Sequence, residues 1–530
     1  MTPVHEYCSA ITVYLQFFTM DYLSVLAIPA LCLCAVLLYK LTAIAQTLHK
    51  RAVALKDVPD MPNMHWLLGS MPYIRKMFED DVETLNYIKY VSDNKIKMTK
   101  LWIGPFFVML TVRHCSLLPK VLKQPKNKVG YDLLRPWLGD GLLISEGNKW
   151  SRNRRLLTPA FHYAILMPYI SVYNRCLGVM MDKWSAAARV NDPVKLFECV
   201  SLLSLDIILQ CSFSFSSDCQ IESSRHPYIH SVQEIVELTT RRFTSVPARW
   251  DLYYYLTKDG RTFRKHCNTA HDYSNMVIQN RKKELRIGED KTQLSESELR
   301  TRKKGKYLDF LDVLLIARDE EGNGLTDQEI RDEVDTFMFE GHDTTTSGMC
   351  WTLYCLAKHP EAQEKVREEV RSVLQGRETL DYDDIKELKY TLWAIKEAMR
   401  LYPPVFFISR ETNEEFELDG CLVPKGVRVG IDIRCIHRQS DTWENPDEYD
   451  PLRFNPSNCE GRDPYAYVPF SGGQRNCIGQ NFALNEERIV IASILNRFKL
   501  SLVQRHKVEA DSKIVLRSKN DIKINLEPLY

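Results

Sequence analysis

No C-x-x-C pair occurs among the fifteen cysteines of this 530-residue chain, which removes zinc ribbons, thioredoxin-type dithiol centres and c-type haem attachment from consideration. The cysteines form no disulfide framework either, and their odd number suits thiols kept reduced. There is no internal repeat, no Pro/Gly/Ser-rich linker in mid-chain and no low-complexity tract, so one large domain is expected although the length would admit about three. Charge of one sign is not in excess: the formal net charge is +1, which argues against nucleic acid as a partner. What is present is ordinary for a globular chain with an ample core, 45% hydrophobic and 26% charged residues.

Lysine and arginine are also missing from everything before Lys40. A cleaved signal peptide needs positive charge ahead of its apolar stretch, so the uncharged run Tyr22 to Tyr39 does not fit one, although Ala43 and Ala45 imitate a cleavage site. The run approaches the ~20 residues that cross a bilayer. The cations Lys40, Lys50, Arg51 and Lys56 follow it, which orients the C-terminal side toward the cytosol. Residues 1–45 are therefore expected to be a short lumenal stub and a transmembrane signal anchor. Residues 46–72, basic and then proline-rich (VPDMPNMHWLLGSMP), are expected to be a stiff hinge, and 73–530 the catalytic body. The charged stretch Gly288 to Lys306 reads as a surface loop.

The run FSGGQRNCIG, Phe470 to Gly479, sets one cysteine in a glycine-bearing turn just ahead of a helical stretch that begins near Asn481. A helix N-terminus stabilises a thiolate, which makes Cys477 a candidate haem-iron ligand. Gly473 and Gly479 let the backbone turn and approach a flat macrocycle, Phe470 can pack beside the sulfur, and Arg475 can pair with a propionate. The competing structural reading is a buried cysteine in a Gly-rich loop.

Thr326 and Glu329 make a capping box, which predicts a helix from Asp327 to His359, stopped by Pro360. Within it EGHDTTT, Glu340 to Thr346, contradicts its own helix propensity, a conflict expected at functional sites. Asp343 and Thr344 supply an adjacent carboxyl and hydroxyl, the minimum for a proton relay during dioxygen activation. Alternatively both side chains bond their own backbone. Two other pairs share a helix face by spacing: Glu397 with Arg400, and Trp150 with Arg154, whose indole N–H and guanidinium can meet one propionate. Lys149, Arg152 and Arg155 form either a basic patch for an acidic electron donor or a solvated helix face.

The run F-x-x-G-x-R-x-C-x-G resembles, at every fixed position, the haem-binding signature of the cytochromes P-450, and EGHDTT resembles that family's distal-helix pattern. The order Trp150/Arg154, Glu340–Thr345, Glu397/Arg400, Arg453, Cys477 matches as well. The resemblance covers Asp57 to Tyr530. It implies a mainly α fold with a smaller β region near 95–110, 405–429 and the C-terminus, and one large domain behind the anchor. It also implies that Arg453 joins Glu397 and Arg400 in a structural triad, and that Arg410 contacts a propionate. Glu340 departs from the general pattern, and EVDTFMFEGHDTT resembles family-4 members, the fatty-acid ω-hydroxylases. In many of these the matching glutamate is esterified to the haem, so Glu340 is expected either to do so or to remain a protonated or salt-bridged glutamate near the pocket.

Further implications are haem b as cofactor, and electrons from NADPH through NADPH-cytochrome P-450 reductase with cytochrome b5 as an optional second donor. The substrate would be fatty-acid-like, and the location the endoplasmic reticulum membrane, single-pass, with the catalytic domain on the cytosolic face. The alternatives are a monooxygenase of sterols, terpenoids or xenobiotics, and a haem-binding electron-transfer or sensor protein. The second would have no need of Asp343 with Thr344.

Overall fold

The Thr326 hydroxyl accepts from the Glu329 amide while the Glu329 carboxylate accepts from the Thr326 amide. This capping box starts a 32-residue helix, Asp327–Lys358, about 48 Å long at 1.5 Å per residue. It is the axis of the protein, a computed structural model that describes residues 4–103, 107–124, 131–222, 226–245, 247–285 and 308–529, with the side chains of 4–28 and 222 excepted. The predicted loop 288–306 lies outside the described residues.

Against the long helix pack Leu196–Phe213, Lys389–Leu401 and Gln480–Arg497. A Cβ on Gly341 would stand 2.6 Å from Ile208 Cδ1, so glycine is what lets the Leu196–Phe213 helix approach at that level. The helical core is filled by large side chains, among them Trp137, Trp184 and Trp351. A second core lies on a four-stranded sheet ordered Met98–Ile103, Phe107–Val112, Arg428–Asp432, Phe407–Glu411, built on Val108, Leu110, Val429 and Ile431. Its central pair is parallel, Met109 facing Arg428, and its outer pairs are antiparallel. The C-terminal hairpin Ala510–Ser512/Leu516–Ser518 is tied to the long helix where Ser347 Oγ donates to the Leu516 carbonyl at 2.5 Å. The expected mainly α architecture with a small β region is the one observed.

At the N-terminus one helix runs Val4–Ala54 with Pro29 inside it. Its stretch Pro29–Ala54 is long and apolar enough to cross a membrane, and its most apolar window is not buried in the domain. The expected hinge spans two kinds of structure. Residues 46–54 continue the helix, and the following segment is docked, with Leu55, Val58 and Met61 buried. The Lys100 amide donates to the Pro59 carbonyl at 2.8 Å and the Lys100 Nζ to the Leu55 carbonyl at 3.3 Å. The buried apolar residues Leu55, Val58 and Met61 hold the segment to the sheet edge.

Candidate active site

The helix Gln480–Arg497 starts three residues after Cys477, and the turn before it is closed by the Cys477 amide donating to the Phe470 carbonyl at 3.0 Å. Gly473 sits at φ +70°, a left-handed position that favours glycine, and a Cβ there would crowd the Leu122 carbonyl oxygen at 3.0 Å. Cys477 is exposed, and the space it is exposed to is a cavity of about 440 Å³. Phe470, Gly479, Arg475, Trp150 and Arg154 line it from the cysteine side, and Glu340, Gly341, Thr344 and Thr345 from the long helix.

The cationic groups converge. The Arg475 guanidinium lies 3.9 Å from the centre of the Trp150 ring and donates to the Ser145 carbonyl at 2.9 Å. Arg154 donates to the Asn476 carbonyl at 2.9 Å and to Asn476 Oδ1 at 3.0 Å. Burial, then the neighbouring Arg410 and Arg154 charges, bring Arg475 down to about 10. Arg410 is 2% exposed, and its Nε has no hydrogen-bond partner among the described residues. Three guanidinium groups with too little negative charge between them, one carrying an orphaned buried N–H, fit the two propionates of a haem. The cysteine that would ligate its iron lies on the same cavity. Sequence reasoning missed Tyr131, which burial pushes up to about 12 and which senses both Arg410 and Glu340. No motif marks it.

Asp343 and Thr344 are not brought together. The Thr344 hydroxyl faces the cavity and donates to the Glu340 carbonyl at 2.6 Å. Asp343, 1% exposed, is ion-paired with Arg517 of the C-terminal hairpin. Successive helix positions differ by 100°, and here that rotation carries Asp343 off the cavity wall to Arg517 while Thr344 stays on it. Thr344 thus makes the backbone bond that the structural alternative describes. Glu340 is half-buried and lines the cavity one turn before Thr344, as its spacing predicts.

Glu397 and Arg400 make paired 2.8 Å hydrogen bonds with both side chains fully buried. Arg453 Nε lies 3.2 Å from the same carboxylate. Arg400 also donates to the carbonyls of His437, Pro446 and Glu448, fastening the segment that leads to the cysteine loop. Of the three cations read as a basic patch or a solvated helix face, Lys149 pairs with Asp140, Arg152 with Asp319 and Glu329, and Arg155 with Glu320. Each cation is neutralised within the chain by acids that sequence distance concealed.

A family model described as cytochrome P-450 matches residues 59–525. The chain is 43% identical over 484 residues to the ultra-long-chain fatty acid omega-hydroxylase of Homo sapiens, covering 90% of this chain and 89% of that one. It is 40% identical over 517 residues to cytochrome P-450 4F3 of Rattus norvegicus, covering 96% of each, and 40% identical over 488 residues to leukotriene-B4 omega-hydroxylase 3 of Mus musculus, covering 90% of each. With a cysteine turn, a cationic cradle and a long helix meeting at one cavity, and with likeness spanning almost its whole length, the chain belongs to the cytochrome P-450 family of haem-thiolate proteins.

Proposed function

We propose that this protein is a membrane-anchored monooxygenase that inserts one oxygen atom of O2 into the terminal C–H bond of medium- to long-chain fatty acids or eicosanoid-like acids. The observation that carries the reading is the cavity bounded by Cys477 on one wall and Glu340, Gly341, Thr344 and Thr345 on the other, lined elsewhere by apolar side chains such as Met71, Ile74, Phe337 and Phe406. The names of the relatives support the substrate class. Haem b, when bound, supplies the reductive activation of dioxygen, and thiolate ligation favours O–O cleavage.

The chain's own residues do the rest. Cys477 provides the thiolate, and the helix N-terminus behind it favours the anion. Trp150, Arg154, Arg410 and Arg475 hold the propionates, Phe470 shields the sulfur, and Gly479 keeps the turn close. Thr344 offers a hydroxyl at the cavity wall. Asp343 completes a relay with it by leaving Arg517 for part of each turnover. Glu340, on the cavity wall, would form an ester with a haem methyl, the two electrons and two protons lost going to O2 as it is reduced to water with a further two electrons from NADPH, and the link would hold the ring rigid against the cavity. Glu397, Arg400 and Arg453 are structural.

A terminal methyl C–H bond is stronger than those of the neighbouring methylenes, so selectivity for it requires a narrow, preorganised cavity that presents only the chain end. Electrons come from NADPH through NADPH-cytochrome P-450 reductase, with cytochrome b5 as an optional second donor. The Pro29–Ala54 helix anchors the protein in the endoplasmic reticulum membrane with residues 73–530 on the cytosolic face. Purified full-length protein with reductase and a panel of fatty acids tests this. Product at the terminal carbon is expected, and purely in-chain hydroxylation overturns the reading.

A further inference from the structure

Away from the cysteine loop the cavity runs on between the four-stranded sheet and the helix Asp81–Asp93, past Met77, Phe78, Ile88 and Phe406. Three basic residues line this outer part: Arg113, Lys513 and Arg434. Two are already occupied. Arg113 donates to Thr99 Oγ1 at 3.1 Å and pairs with Asp432, while Lys513 lies 2.8 Å from both Glu237 and Asp511.

Arg434 differs. Its side chain is 1% exposed, yet Nε, Nη1 and Nη2 all lack a hydrogen-bond partner among the described residues. Asp81 Oδ1 approaches Nη1 to 2.7 Å without hydrogen-bond alignment, and that oxygen is itself without a donor. Arg438, four residues on, adds a second buried guanidinium: its Nη2 donates to the Leu401 carbonyl at 2.6 Å and its Nε lies 3.3 Å from Asp447 Oδ1, while Nε and Nη1 have no hydrogen-bond partner among the described residues. Burial, then the Arg434 and Arg400 charges, bring it down to about 10. The backbone beneath is fixed: the Ile433 amide donates to the Phe406 carbonyl at 2.9 Å, and Asp432 Oδ1 caps the turn at the Cys435 amide. A buried charged donor left unbonded is costly, and a carboxylate satisfies such donors in pairs.

We propose that Arg434, backed by Arg438, seats the carboxylate of the substrate while the apolar cavity leads the chain toward Cys477. This rests on the acid-substrate reading above. It makes Arg434 a specificity residue that distinguishes a free acid from a neutral chain of the same length.

The test uses the full-length haem-loaded enzyme with reductase, a saturated long-chain acid and its methyl ester. Apparent KM and kcat are measured with both, as is equilibrium displacement of a fluorescent fatty acid. Arg434→Gln should weaken the acid on the order of ten- to a hundredfold, the loss of a charge-assisted contact, with the ester unchanged and kcat for the ester retained. Asp81→Asn removes the competing carboxylate and should tighten the acid several-fold, a gain that misfolding cannot imitate. Equal weakening of acid and ester by Arg434→Gln together with no gain from Asp81→Asn overturns the proposal, as does an acid affinity unmoved by either substitution. If the wild type yields no terminal product the proposed function fails. If it does and the variants do not discriminate, only this inference fails.

Discussion

The Glu397 carboxylate and the Arg400 guanidinium face each other through two 2.8 Å hydrogen bonds with neither side chain reaching solvent. Such a pair is weak grounds for net stability, but breaking it leaves a buried charge uncompensated. Here the carboxylate also receives Arg453 and the Asp450 amide, so Glu397→Gln strands two cations at once. The expected loss is about 3–5 kcal/mol of unfolding free energy, read by denaturant titration, with haem lost on gel filtration. Glu397→Gln protein that retains wild-type stability and haem would refute the structural role.

Trp150 and Arg475 join the helix Gly147–Leu157 to the cysteine loop through the 3.9 Å cation–π contact. Partly desolvated contacts of this kind contribute roughly 1–2 kcal/mol. Trp150→Leu keeps the apolar bulk but loses the ring face and the indole N–H, so haem should dissociate about tenfold faster. Transfer of haem to apomyoglobin measures that rate, and an unchanged rate would count against any part for Trp150 in the cradle.

The legible parts of this chain are those written over a few residues. The Thr326–Glu329 box, the Glu397/Arg400 and Trp150/Arg154 spacings and the Cys477 turn each depend on local geometry, and each appears where its residues predict. What escaped reading is set by partners far away in sequence. Asp343 turns toward Arg517, 174 residues on, and Arg152 toward Asp319, 167 residues on. The docking of Leu55, Val58 and Met61 depends on a sheet edge that the proline pattern does not announce. Arg434 carries no motif, and only its unbonded N–H groups set it apart from Arg113, which is buried beside the same cavity.

His437 is held to about 3 by burial and by the Arg400 charge, and its neutral Nε2 accepts from the Val468 amide at 2.9 Å. Its folded value lies below the unfolded value near 6.5, so between those values the unfolded chain binds the extra proton. Its stabilising contribution is therefore complete above pH 6.5 and is lost as pH falls toward 3, with a slope of up to about 1.4 kcal/mol per pH unit. His342, similarly depressed, adds a second such slope. His437→Gln keeps an acceptor for Val468 and removes this one slope, so the stability of the variant should fall less steeply than that of the wild type from pH 7 to 4.5, by up to about 1.4 kcal/mol per pH unit. Parallel wild-type and variant profiles would contradict the assignment.

Glu340 lines the cavity one helical turn from Thr344. If its carboxylate forms an ester with the haem, acidic reversed-phase chromatography of denatured wild-type protein will show haem absorbance travelling with the polypeptide. Glu340→Ala should release all of it as free haem while leaving the fold intact, because the residue is only half-buried. Wild-type haem that elutes free would remove the ester and leave Glu340 as a glutamate of the cavity wall.

Asp343 and Thr344 provide the sharpest separation of roles. Thr344 already stands at the cavity, so Thr344→Ala should leave NADPH consumption near wild type while product per NADPH falls several-fold and hydrogen peroxide rises. Asp343 is buried against Arg517, so Asp343→Asn weakens that pair and removes the titrating carboxyl. The consequence should be slower NADPH consumption, with product per NADPH less affected and a solvent isotope effect larger than in wild type. Arg517→Met leaves Asp343 ionisable but without its cation, in a site where burial disfavours charge. A carboxyl engaged in a relay then tolerates this better than Asp343→Asn, and turnover should stay above that of Asp343→Asn. If Arg517→Met and Asp343→Asn are equally slow and equally destabilised to heat, the pair is only a strut between hairpin and helix, and protons reach the cavity by a path that does not include Asp343.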